Sequence, residues 1–248
     1  MVGINQVLLM TRANKRVFAI GNGESRKTID LSRLYEFGII YGCNAIYRDF
    51  SPDALVVVDP KMKDEIWDTE YLLDNKAYFK DWSADSPQGA HQRNRLLKKG
   101  DWGFGATGAH QYLQLEGEKS LKRVVNSNDI IHKKFPDDAY RIGYSSGPAS
   151  VLIACIEEEP EEVYLIGHDL YSITNKFNNV YKDTLNYEKS DTDLCPPDNW
   201  INQLEWCFKD FTSIQFYQVN RLKEVPQWKK VLNLEYLTLD EMWKRLNR

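Results

Sequence analysis

Residues 16–25, RVFAIGNGES, with GIIYGCN at 38–44 and ALVVVD at 54–59, decide the fold. Each is a short, almost unbroken apolar run ended by glycine or a polar residue. That pattern belongs to strands buried on both faces, as in a parallel sheet covered by helices, rather than to half-solvated strands that alternate. The first run breaks into Gly21-Asn22-Gly23-Glu24-Ser25 and is followed by apolar positions that predict a short helix from Ser25 to Leu34. A strand that feeds a helix through glycines leaves the first helical N–H groups facing outward, a cradle for phosphate. In open parallel sheets ligands bind outside the carboxyl ends of the strands, and Asn22, Asn44 and Asp59 all stand at such ends. The chain therefore reads first as a nucleotide binder.

Further along, Lys61 to Leu73 predicts a helix, and 81–117 mixes WSADSPQGAH, the basic QRNRLLKKG and the glycine-rich GDWGFGATGAH in a long irregular excursion. No strand precedes Gly103-Phe104-Gly105-Ala106-Thr107-Gly108, so it is not a dinucleotide fingerprint. Ser145-Ser146-Gly147-Pro148 opens a helix, since serine caps a helix start. A strand over Val163 to Ile166 follows and ends at Gly167-His168-Asp169. The polar, aromatic stretch to Pro197 lacks any core periodicity. A helix over Asn199 to Phe211, a strand over Ile214 to Val219 and a closing amphipathic helix over Leu239 to Leu246 complete the chain. The expected architecture is one α/β domain over 1–248, with a Rossmann-like, mainly parallel sheet flanked by helices and lids near 81–117 and 172–197.

Bulk properties narrow the function. A net charge of -4 with no dense basic tract argues against a nucleic-acid partner. The cysteines Cys43, Cys155, Cys195 and Cys207 are far apart and form no C-x-x-C pair, which argues against zinc or a disulfide scaffold and for a reducing cytoplasm. The apolar patch in MVGINQVLLMTRANKR is too short for a transmembrane segment. Acids at Glu188, Asp191, Asp193 and Asp198 read as a solvated loop, and no metal site is expected. Self-association into a homo-oligomer is left open.

Taken in order, Gly21-Asn22-Gly23-Glu24-Ser25, Cys43-Asn44, Ser145-Ser146-Gly147 and Gly167-His168-Asp169-Leu170-Tyr171 resemble the motifs of the bacterial family 42 sialyltransferases. Those enzymes move sialic acid from CMP-sialic acid to a glycan acceptor. A glycine turn of the same kind occurs in MptE-like proteins, which include a pterin diphosphokinase. The sialyltransferase resemblance implies that Gly21, Asn22, Gly23 and Ser25 approach the donor phosphate or ribose. It implies that Asn44 bonds the nucleotide sugar and that Ser145, Ser146 and Gly147 hold the nucleobase or donor carboxylate. Tyr171, with Phe177 or Tyr181, would reach the leaving phosphate from the second lid. The donor is then a substrate, and no separate cofactor is implied.

Departures from the pattern are specific. Glu24 stands where the family has proline, and Arg26 where an apolar residue is common; Glu24 would repel an anion and Arg26 would clamp it. The family's general base is a histidine beyond the lid, whereas the histidines here are His91, His110, His132 and His168. Asp198 and Glu205 are the carboxylates available in that region. His168 reads either as an acid–base group or as a histidine filling a partly buried turn. Three functions follow: a sialyltransferase-like glycosyltransferase, an MptE-like diphosphokinase needing ATP and magnesium, or a nucleotide-binding protein without catalysis.

Overall fold

The computed structural model describes residues 16–80, 124–135 and 144–247. The excursion expected over 81–117 and the first fifteen residues lie outside these. The strands are β1 (Arg16–Ile20), β2 (Ile39–Cys43), β3 (Ala54–Val57), β4 (Ala77–Phe79), β5 (Val124–Asn126), β6 (Glu162–Ile166), β7 (Gln215–Val219) and β8 (Leu234–Leu237). They form an eight-stranded sheet in the order β5-β4-β3-β2-β1-β6-β7-β8. The helices are α1 (Pro60–Trp67), α2 (Tyr71–Asp74), α3 (Ser127–Lys134), α4 (Ser146–Glu158), α5 (Asp198–Asp210) and α6 (Leu239–Leu246). This is the α/β, Rossmann-like parallel architecture expected from the sequence. By its internal contacts the chain falls into two compact units, residues 1–41 with 157–248, and residues 42–156.

In the first unit β1, β6, β7 and β8 pair in parallel. Four of the five residues of β1, and likewise of β6 and β7, are buried, as their apolar runs require. Register places Phe18 opposite Tyr164 and Tyr164 opposite Tyr217. Their rings stack at 5.1 and 4.9 Å between centroids. Such cross-strand aromatic pairs are a principal source of sheet stability. At the amino ends of the same strands, Glu162 accepts from Arg16 Nε at 2.9 Å, Arg245 Nη2 at 2.7 Å and the Tyr164 hydroxyl at 2.9 Å. Burial raises the Glu162 carboxyl, but hydrogen bonds from Arg245, Tyr164 and Arg16 outweigh it and hold the group below the ordinary range. Arg245 thereby ties α6 to the sheet. Thr238 and Glu241 close a reciprocal capping box at the start of α6.

The second unit pairs β3, β4 and β5 in parallel. Asp59 caps α1, accepting from the Lys61 and Met62 N–H groups at 2.8 and 3.3 Å. Arg48 and the Tyr47 hydroxyl converge on Glu65, each within 2.6–2.7 Å. Burial, with Glu65 next to it, pushes the Tyr47 phenol up to about 12.

Two elements differ from the sequence reading. No α-helix follows β1: Glu24–Thr28 and Leu31–Glu36 are separate 3-10 turns, divided at Ile29, which is extended. Asp30 stops the first from continuing by accepting the Ser32 N–H at 3.1 Å and starting the second. The helix expected over Lys61 to Leu73 is likewise two, α1 and α2, because the Thr69 hydroxyl accepts the Tyr71 N–H at 3.2 Å and donates to Ile66 O at 2.7 Å. Among the described residues no helix is long and apolar enough to cross a membrane.

Candidate active site

The site in the first unit grows from two neighbouring strand ends. β1 runs out at Ile20 into Gly21-Asn22-Gly23, and β6 at Ile166 into Gly167-His168-Asp169. The turns bond directly: Gly21 N–H donates to Ile166 O at 2.7 Å and Gly23 N–H to Gly167 O at 2.8 Å. A Cβ on Gly21 would stand 2.5 Å from the Gly167 oxygen, and one on Gly23 would strike the Asp169 carboxyl. Gly167 itself holds φ +70, a conformation that favours glycine. The glycines are thus needed for backbone to lie on backbone.

The turn's outward N–H groups are occupied within the protein. Ser25 donates both its N–H, at 3.0 Å, and its hydroxyl to the Asp169 carboxylate. Glu24 N–H donates to Asn178 Oδ1 at 2.9 Å. A five-residue 3-10 turn stands here in place of the expected α-helix. Side chains then gather over this turn.

Those side chains come from the turn and from the strap at 172–197, which lies across it. Val180 N–H donates to Asn22 O at 2.8 Å. Asn22 Nδ2 donates to the Tyr187 hydroxyl at 3.4 Å, and the Tyr187 and Tyr181 rings lie 5.6 Å apart. Arg26 Nη2 donates to the Tyr181 hydroxyl at 2.7 Å. Asn22, Arg26 and Tyr181 are 8%, 5% and 7% exposed, so an amide, a guanidinium and a phenol lie largely dry, with the half-buried Tyr187 phenol at their edge. Beside it Glu24 pairs with Lys27 at 2.5 Å and Lys182 at 3.1 Å, and the Lys27 hydrogen bond leads in holding its carboxyl low. That pairing answers the charge conflict seen in the sequence: the acid is neutralised by its own lysines.

The strap keeps its shape without regular structure. Phe177 N–H reaches Thr192 O at 2.8 Å, Leu194 N–H reaches Asn175 O at 3.0 Å, and Lys176 pairs with Asp193 at 2.6 Å. Its corners at Asn175, Asp183 and Asn186 hold φ of 56, 66 and 63, a left-handed region that these residue types tolerate best after glycine.

The other predicted residues are placed as follows. His168 is buried, its ring bonded to the Ala19 backbone, and Nε2 has no partner among the described residues. Burial lowers its pKa to about 4, so the imidazole is neutral at physiological pH. Lys223 Nζ lies 5.1 Å from the centre of the Tyr171 ring, and Tyr171 O accepts from Asn178 Nδ2 at 2.7 Å. Phe177 serves the strap's own pairing. Glu205 forms an ion pair with Lys209 at 2.6 Å, and Asp198 is exposed at the start of α5. In the second unit Asn44 has φ 50 and begins a 3-10 turn directly after β2. Ser146 Oγ accepts the Val58 N–H at 2.9 Å, Ser145 O accepts the Ala149 N–H at 2.8 Å, and Gly147 O accepts the Ser150 hydroxyl at 2.7 Å. Among the described residues no group of three or more His, Cys, Asp or Glu gathers to hold a metal. Tyr187 and Asn178 escaped the sequence reading. Their partners in the glycine turn lie more than 150 residues away, and no spacing signals them.

No protein-family model and no curated protein sequence matches the chain. Solved structures do. Sialyltransferase CstII from Campylobacter jejuni, in complex with the substrate analogue cytidine-5'-monophosphate, is 19% identical, with TM-score 0.50 over 82% of this chain and 79% of that one. A CstII variant in complex with CMP gives 18% and 0.54, over 82% and 81%. CstII in complex with a trisaccharide acceptor and CMP gives 17% and 0.52, over 82% and 80%. Through most of its length the chain thus shares the fold of the sialyltransferase CstII.

Proposed function

We propose that the protein is a sialyltransferase-like glycosyltransferase that uses a nucleotide-sugar donor, with CMP-sialic acid as the first candidate, and a glycan hydroxyl as acceptor. The observation that carries this reading is the shared fold with structures whose ligands are CMP and a trisaccharide acceptor. The cluster of Asn22, Tyr181 and Tyr187 on the first glycine turn supports it, being neutral hydrogen-bonding groups suited to a departing phosphate. In the reaction the acceptor hydroxyl oxygen bonds to the anomeric carbon of the sugar while that carbon's bond to the phosphate oxygen breaks. CMP leaves with the electron pair, and the hydroxyl proton passes to a base. Asp198 and Glu205 are the carboxylates proposed for that step. Asn44, Ser145, Ser146 and Gly147 are carried as nucleoside contacts on the sequence resemblance alone. Tyr171 and Tyr181 are carried as the groups that reach the leaving phosphate, and His168, buried and neutral, as a further acid–base candidate. A cytoplasmic location belongs to the same proposal.

One observation favours a second reading, a nucleotide-binding protein without turnover: no histidine follows Tyr171 in the sequence. The test is a thermal-shift series with CMP, UDP, GDP and ATP, with and without magnesium, followed by chromatography for CMP released from CMP-sialic acid in the presence of a glycan. Stabilisation by CMP with release supports transfer, and stabilisation without release supports the second reading. A response to ATP with magnesium and none to CMP overturns the transferase reading and points to the diphosphokinase.

A further inference from the structure

Arg26 is 5% exposed, and among the described residues its guanidinium donates one hydrogen bond, from Nη2 to the Tyr181 hydroxyl at 2.7 Å. Its guanidinium carbon also lies 5.4 Å from the centre of the Tyr181 ring. Among the described residues Nε has no hydrogen-bond partner and no carboxylate pairs with the group. The acids of the two adjoining turns are engaged elsewhere, Glu24 by Lys27 and Lys182, Asp169 by Ser25. A buried cation without a counter-charge costs several kcal/mol, and native proteins avoid it unless the charge meets an anion. A neutral phenol does not offset that cost.

We infer that Arg26 receives the negative charge of a bound ligand, the phosphate of a nucleoside monophosphate moiety. Nε and Nη2 form one edge of the guanidinium plane, the edge that binds a phosphate through two parallel hydrogen bonds. Displacing the Tyr181 hydroxyl from Nη2 opens that edge beside the unused Nε, and the amide of Asn22 belongs to the same chain of contacts through Tyr187 and Tyr181. The inference rests on the nucleotide-donor reading of this site and names the group that would set its preference for anionic donors. Lysine would keep the charge but lose the planar edge, so Arg26→Lys separates the two contributions.

Calorimetric titration of the full chain with CMP and with uncharged cytidine, for the wild type, Arg26→Leu and Arg26→Lys, tests it. Arg26→Leu should weaken CMP binding by roughly ten- to hundredfold, as loss of charged hydrogen bonds does. Arg26→Lys should fall between, and cytidine affinity should be the same in all three. Without ligand, Arg26→Leu should melt no lower than the wild type, because relief of a buried charge that no carboxylate faces offsets the lost contacts to Tyr181. Unchanged CMP affinity, or equal losses for CMP and cytidine, overturns the role of Arg26 while leaving the nucleotide reading standing. If the wild type binds neither compound, the nucleotide reading fails, and inorganic phosphate decides the matter. A thermal shift in the wild type that Arg26→Leu abolishes then supports an anion site, and no shift in the wild type overturns it. Should Arg26→Leu fail to fold, Arg26→Gln is compared in its place on the same criteria.

Discussion

Lowering the pH should destabilise this protein through His168 before most of its carboxylates take up protons. The imidazole has a pKa of about 4 in the fold against 6.5 for the free side chain, and burial is the cause. Between those values the unfolded chain binds a proton that the native chain refuses, so stability falls as pH falls. A gap of about 2.5 pH units at about 1.4 kcal/mol each is worth about 3 kcal/mol when complete, and about 2 kcal/mol of it is lost by pH 5. Urea denaturation of the wild type and His168→Gln at pH 7.5 and 5.0 measures it, because subtracting the variant cancels every other titrating group. The wild type should lose about 2 kcal/mol more than the variant over that interval. An equal loss in both, or a wild type that gains stability on acidification, refutes the burial argument, since either outcome means the ring takes its proton inside the fold without penalty. Nitrogen-15 NMR of the ring should show the neutral form, protonated on the nitrogen that faces Ala19, at pH 5.5.

Four further outcomes follow from contacts already described. Gly23→Ala drives a methyl into the Asp169 carboxyl and should destabilise by about 1–3 kcal/mol or prevent folding, read by denaturant midpoint. Asp169→Asn weakens the acceptor of both Ser25 donors and should cost about 1.5–3 kcal/mol in the same assay. Glu162→Gln should flatten the acid limb of stability below about pH 4.5: a carboxyl held low in the fold stabilises above its unfolded pKa and loses that contribution as pH drops, and the amide has none to lose. Thr238→Ala breaks the capping box of α6 and should cost about 1 kcal/mol, with the helix-end loss visible in hydrogen exchange of its first turn.

The central strands were legible because apolar runs such as VFAI and LVVV have no reading other than burial on both faces. Strands β4, β5 and β8 were not, being three or four residues long and indistinguishable from loop by pattern. The helix expected after β1 failed for a local reason: Ser25 and Asp30 engage the chain with their own side chains or neighbours, and a periodicity count does not see that competition. Of the site, Asn22 and Tyr181 were marked by motif and by strap, and both belong to the buried cluster. The meaning of the glycines was not visible, because it depends on Gly167 and Asp169, far along the chain. Asn178 and Tyr187 became recognisable only once the strap was seen lying on the turn.

The left-handed corners of the strap carry a lesson for anyone altering it. At Asn175, Asp183 and Asn186 the permitted alphabet is short, and a valine or isoleucine there would force the ribbon to reroute. Ile173, ahead of the first corner, and Leu185, between the last two, are both exposed. A library built to retune ligand preference should therefore randomise the spans and freeze the bends, so that each new side chain is delivered to the same address.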